Sequence, residues 1–74
     1  MKQVIKVIGK DLYVYKERNT VRLGSLEKAT LYNTKGSASI ALKSNNCKFW
    51  LNHIYQLLLQ DMEVRSVTIL LNTK

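Results

Sequence analysis

Two short runs rich in Val, Ile and Tyr stand on either side of Gly9-Lys10-Asp11, and that arrangement constrains the fold of this chain more than any other feature of it. Residues 3 to 8 and 12 to 17 are β-branched or aromatic at most positions, and glycine followed by two polar residues supplies a turn, so a β-hairpin is expected. With a two-residue loop, either Gly9-Lys10 or Lys10-Asp11, Ile5, Val7, Leu12 and Val14 share one face while Lys2, Lys6, Tyr13 and Tyr15 share the other. A three-residue loop destroys that sorting, because one step of register moves every side chain of a strand to the opposite face.

Arg18-Asn19 reads as a second turn into a short strand, "TVRL", which Gly24-Ser25 interrupts. In "LEKATLYN" a turn of helix or loop at Leu26 to Lys28 precedes an extended "ATLY" that brings Leu31 toward the core. Thr34 is placed to cap a helix over about 35–44, where Ala38, Ala41 and Leu42 recur at helical spacing. Asn46 can cap a second, stronger helix over about 47–60. There Cys47, Trp50, Leu51, Ile54, Leu58 and Met62 follow the helical period and are expected to face a sheet, while Phe49, Leu57 and Leu59 widen the apolar surface. The closing run "VRSVTILLN", about 64–72, is apolar on both faces near Thr68 to Leu71, a pattern that suits a central strand. The fold class is therefore α+β in a single small domain, residues 1–74: an N-terminal antiparallel β-meander, two helices packed on the sheet and a C-terminal central strand.

With 74 residues, 46% of them apolar, the chain is long enough for one core and too short for a cleft between domains. It has no proline and only three glycines, so long loops are not expected. Cys47, the single cysteine, cannot pair within the chain, and no Cys/His spacing of a metal site is present. No apolar run approaches the ~18 residues of a membrane span, and "MKQVIKVIG" lacks the apolar stretch and cleavage site of a signal peptide. A soluble, cytoplasmic protein without membrane contact is the expectation. The net charge of +7 falls entirely in residues 1 to 48, while residues 49 to 74 balance Arg65 and Lys74 against Asp61 and Glu63. Such a field attracts nucleic acid, an anionic surface or an acidic protein, and it also serves solubility.

Chemistry has few footholds here. His53, the only histidine, lies beside the apolar stripe near Gln56 rather than in a cluster of carboxylates, which fits a structural or surface residue better than a general base. Cys47 and His53 are six apart, not a facing spacing on a helix, so an inert buried cysteine is the better reading. "NTKGSAS" places glycine and hydroxyls at a helix start with Lys35, but it lacks the spacing of a phosphate loop, and capping accounts for it. With no converging set of functional groups, no catalytic residue, cofactor or metal is expected, and the chain reads as a non-enzymatic binder.

Within "LEKATLYNTKGSASIAL", residues 26 to 42, the positions of Lys28, Ala29, Tyr32 and Ala38, followed by the valine-rich strand, resemble small, largely uncharacterised phage and prophage accessory proteins of Gram-positive bacteria. In those a basic hairpin leads to a lysine-alanine-aromatic segment, a helix with an inward alanine and a final strand. The resemblance covers about two thirds of the chain in outline and carries no catalytic signature. It implies a protein that acts by binding a host or phage macromolecule. The long second helix, "CKFWLNHIYQLLLQ", departs from the pattern and is where this chain's own activity is expected.

Two surfaces follow as candidates. The apolar flank of the second helix, Phe49, Tyr55 and Leu59, is expected to bind a host or phage protein, with the basic half steering the encounter. Lys2, Lys6, Tyr13 and Tyr15 form the alternative, a strand face on which tyrosines stack bases and lysines hold phosphates of RNA or single-stranded DNA. A wide apolar helix can also be satisfied by a second copy, so a homodimer is a third outcome.

Overall fold

Strand pairing at the Gly9 turn settles the parity of the hairpin. In the computed structural model, which describes residues 1–68, Val7 donates its N–H to the Leu12 carbonyl at 2.9 Å and Lys10 donates to Val7 at 3.2 Å. Gly9 adopts φ +78°, a left-handed conformation that a residue with a Cβ adopts only with strain. The loop spans Ile8 to Asp11 and has the same register as a two-residue Gly9-Lys10 loop. Strands β1 (Lys2–Val7) and β2 (Tyr13–Glu17) therefore set Lys6 opposite Tyr13. Ile5, Val7 and Val14 turn to the core as expected. Leu12, expected beside them, is 38% exposed because it closes the loop at the rim.

The tight Arg18-Asn19 turn, with Arg18 at φ 57° and the Thr20 hydroxyl donating to the Glu17 carbonyl, returns the chain into β3 (Thr20–Gly24). Beyond Lys6 and Tyr13 the first hairpin forks. Residues 29 to 32 fill the fork: Thr30 donates its N–H to the Val14 carbonyl at 3.1 Å and accepts from the Lys16 N–H through its hydroxyl. Tyr32 exchanges both backbone bonds with Gln3, at 2.8 and 2.9 Å. Because Tyr32 lies opposite Gln3 it shares that residue's inner face and packs on the core. Leu31, expected in the core, consequently points outward and is 42% exposed.

Helix α1 (Lys35–Lys43) begins at Thr34, whose side chain accepts from the Ser37 N–H at 3.0 Å. Ser44 ends α1 and caps α2 (Asn45–Tyr55), accepting from the Cys47 N–H at 3.2 Å. The cap is thus Ser44, two residues before the expected Asn46. The helix also stops earlier than the expected residue 60. Gln56 adopts the left-handed conformation, φ 57° and ψ 36°, and its N–H caps Asn52, while Leu57 donates back to Leu51. Leu57 folds against the core, and a single 3-10 turn, Leu59–Asp61, leads into β4 (Met62–Val67).

All pairings are antiparallel and the strand order is β3-β2-β1-β4, with both helices packed on one face. The last strand is therefore not central. It pairs with β1 alone among the described residues, and β1 takes the interior place, with Val4 and Ile5 buried on opposite faces. Sequence signals for an interior strand were present in both segments, and the non-local choice of neighbour decides between them. The rest of the expected strand, residues 69–72, lies outside the described residues. Ile5, Val7, Val14, Val21 and Met62 of the sheet meet Ala38, Leu42, Cys47 and Leu51 of the helices in one core.

Candidate protein-binding surface on the second helix

Helix α2 divides its side chains between two environments. Cys47 and Leu51 are buried, and Trp50 and Tyr55 lie half-buried at the margins of the same side. Burial pushes the Cys47 thiol above its usual range, opposed in part by the Lys16 ammonium, so the side chain stays a neutral thiol. The Tyr55 hydroxyl accepts a hydrogen bond from the Leu23 N–H at 3.0 Å, which ties the end of α2 to β3. Tyr55 is a strut of the fold more than a free anchor.

Phe49 is 56% exposed. Its ring stacks on His53 one helical turn later, with centroids 5.2 Å apart and planes within 10°, and meets the Trp50 ring edge-on at 5.2 Å. Trp50 and His53 meet edge-on at 6.0 Å, and the Trp50 indole N–H donates to Asn46 Oδ1 at 3.1 Å. Spacing of i and i+4 puts Phe49 and His53 on one exposed stripe. Three rings are thus braced against one another, Phe49 and His53 on the outside of the helix and Trp50 at the core margin, which removes rotamer freedom before any partner arrives. Cys47 lies on the buried side and His53 on the exposed one, so the two do not meet.

Beside the aromatic cluster runs a groove of about 320 Å³ between α2 and the leucines that follow it, lined by Lys48, Leu51, Asn52, Leu57, Leu58 and Leu59. Leu58, expected to face the sheet, is 52% exposed on its rim, because the early end of the helix rotates it outward. Of the three residues expected to form a protein-binding patch, Phe49 and Leu59 are exposed on this side and Tyr55 is engaged elsewhere. His53 and Leu58 join them. The signal in the sequence was the run of leucines after Gln56, which exceeds what one helix stripe can bury.

Helices α1 and α2 carry Lys35, Lys43 and Lys48 and no acidic residue, while the Asp61 carboxylate accepts the Leu58 N–H at 2.9 Å beside the groove. The opposite face of the sheet is different. Lys2, Lys6, Tyr13 and Tyr15 share it, as the hairpin parity requires. Lys6, however, pairs with Glu63 at 3.6 Å, and Lys2 donates to the Asn33 side-chain carbonyl. Tyr15 lies against Gly24, where an added Cβ would stand 2.8 Å from its ring, and the Lys28 ammonium sits 5.9 Å over that ring. Tyr13 borders a groove of about 780 Å³ whose lining includes Leu26, Leu31 and the carboxyl-bearing Asp11 and Glu27. Carboxylates are thus interleaved with the lysines on this face, which weakens its pull on a phosphate backbone.

Comparisons with protein-family models, with curated proteins and with solved structures found no match to this chain.

Proposed function

We propose that this chain is a non-enzymatic, phage-type accessory module that docks an acidic surface of a host or phage protein onto the flank of α2. The observation that carries the reading is the Phe49–Trp50–His53 cluster, with Phe49 and His53 exposed, on a helix that flanks an apolar groove and carries Lys48 and no carboxylate. Aromatic side chains that are pre-braced and ringed by polar groups are the usual anchors of protein interfaces. Lysine charge around them raises the encounter rate with an acidic partner and rejects basic surfaces. The phage-type context rests on the resemblance of residues 26 to 42, and the host or phage origin of the partner rests with it.

The test is affinity capture from bacterial lysate with the native chain and with Phe49→Ala, followed by titration of each recovered protein against both. A true partner is acidic, and its affinity falls by about 2 kcal/mol or more, roughly thirtyfold, on truncation of Phe49. Its association also slows with added salt. Capture that does not distinguish the two proteins removes the surface from consideration. If instead the chain binds a labelled single-stranded oligonucleotide, and Lys6→Ala weakens that binding and flattens its salt dependence, the function belongs to the sheet face.

A further inference from the structure

Strand β4 alternates the charged Glu63 and Arg65 with Met62, Val64 and Ser66, and among the described residues it stands at an edge of the sheet. Its ladder with β1 runs without a break from Met62 to Val67. Ile8 donates to the Asp61 carbonyl at 2.9 Å at the start of that ladder. Antiparallel bonding alternates from residue to residue, so Glu63, Arg65 and Val67 direct their N–H and C=O groups at β1. Met62, Val64 and Ser66 turn theirs away from β1, to an edge that no other described strand pairs. The other flank of β1 obeys the same alternation, since Gln3 bonds to Tyr32 and Val7 to Leu12. The far edge of the sheet is partly closed, because Tyr55 takes up the Leu23 N–H. No proline blunts β4, and its two charged side chains, Glu63 and Arg65, are of opposite sign.

We infer that β4 pairs antiparallel with β4 of a second copy about a twofold axis at Val64, giving one sheet continuous across two chains. An axis perpendicular to the sheet keeps both sets of helices on one face, and it requires inner-face residues to lie opposite inner-face residues. Few registers meet that condition, and charge separates them. Centring on Glu63 sets Glu63 against its own copy, and centring on Arg65 sets Arg65 against Arg65. Met62 at the centre brings Glu63 opposite Asp61, while Ser66 at the centre gives Arg65 only Val67. With Val64 at the centre, Glu63 faces Arg65 of the second copy, and symmetry repeats the pair. These are positions without direct backbone bonds, where facing Cα atoms approach to about 4.5 Å and side chains are closest. Glu63 is the sole acid of the strand, and within its own chain it lies 3.6 Å from Lys6 and 3.7 Å from Arg65, so the joint extends pairs already present along the outer face. On the inner face Val64 meets Val64 and Met62 meets Ser66, and all of these offer the backbone groups that the joint needs. Helix α1, which packs on β1 and β4, comes to lie on the same face as its copy.

The experiment is sedimentation of the full chain from micromolar to millimolar concentration. A species of about twice the 8.5 kDa chain mass is expected. Arg65→Glu sets like charges opposite each other and raises the dimer dissociation constant by about tenfold or more. The double variant Glu63→Arg with Arg65→Glu, made in a Lys6→Ala background so that no lysine of the same chain faces the new cation, exchanges the signs and restores the dimer. Ser66→Pro removes an edge-facing N–H, a place where an edge strand accepts proline, and yields a folded monomer by circular dichroism. Ser66→Ala loses only the hydroxyl bond to Gln3 Oε1, 2.9 Å long, and stays dimeric. Phe49→Ala also stays dimeric. A chain that is monomeric throughout the range overturns the inference, as does a dimer that survives Arg65→Glu and Ser66→Pro. A dimer dissolved by Phe49→Ala places self-association on α2 instead, and a double variant that remains monomeric overturns the register.

Discussion

The flank of α2 and the outer face of the sheet both present aromatic rings beside lysines, yet they are built differently. On the sheet face the charges are answered from within the chain: Glu63 holds Lys6, Asn33 takes Lys2, and the Tyr15 ring is pressed on Gly24 under Lys28. On α2 the rings stack on one another, with Asn46 taking the Trp50 N–H, and Lys48 has no carboxylate on its own helix. An aromatic residue next to a lysine in sequence therefore says little about binding until the acids are placed. The pairing of β4 with β1 brings Glu63 to Lys6 from across fifty-odd residues, roughly the full span of the fold, a contact that only the sheet order creates.

Truncation on the two sides of α2 separates fold from function most sharply. Leu51→Ala, at a position 2% exposed, is expected to cost about 2–5 kcal/mol. In a domain of this size that is a large share of total stability, so urea unfolding should show partial or complete loss of the native state. Phe49→Ala is expected to change stability by about 0.5 kcal/mol or less while abolishing partner capture. If Phe49→Ala unfolds the chain, the flank is core and the contrast fails.

Tyr55→Phe removes the acceptor of the Leu23 N–H at the rim of β3 and should cost about 1 kcal/mol, read from the urea midpoint. A larger effect on partner affinity than on stability would return Tyr55 to the binding surface. Lys6→Ala should cost less than about 1 kcal/mol, since its pair with Glu63 is partly solvated, and the loss should shrink with salt.

Cys47 provides the smallest test, a slope with pH. Burial raises its thiol pKa, so the folded state keeps a proton that the unfolded chain releases. The stabilisation is fully present below the ordinary thiol range near 8.5 and is lost as pH rises through the raised value. Urea midpoints should therefore fall between pH 7.5 and 9.5, about a unit either side of that range, and fall less in Cys47→Ala. Alkylation of the native chain should be slow, and fast in urea.

Local chemistry was legible where one segment decides it. The alternation on either side of Gly9 gives the hairpin, with its parity left to the length of the loop, and Thr34 marks the start of α1. What the sequence withheld depends on distant partners or on unusual backbone. Leu31 was drawn inward by its hydrophobicity, but the bridge from Gln3 to Tyr32 sets the parity of its segment. Gln56 ends α2 in a conformation usually taken by glycine, so the helical period runs on in the sequence past the place where the helix stops. That early stop moves Leu58 from the expected core to the rim of the groove and creates part of the candidate site. The position of β4 was equally hidden, since a β-branched run reports that a strand forms and not which neighbour it takes.

A photo-crosslinking side chain placed at position 49 in one preparation and at position 15 in another compares the two regions under identical conditions. Each is irradiated in bacterial lysate and with a labelled single-stranded oligonucleotide. A discrete protein adduct is expected from position 49, competed by the native chain but not by Phe49→Ala, with no oligonucleotide adduct from position 15. Adducts from position 15 alone, whether to protein or to the oligonucleotide, would contradict that expectation.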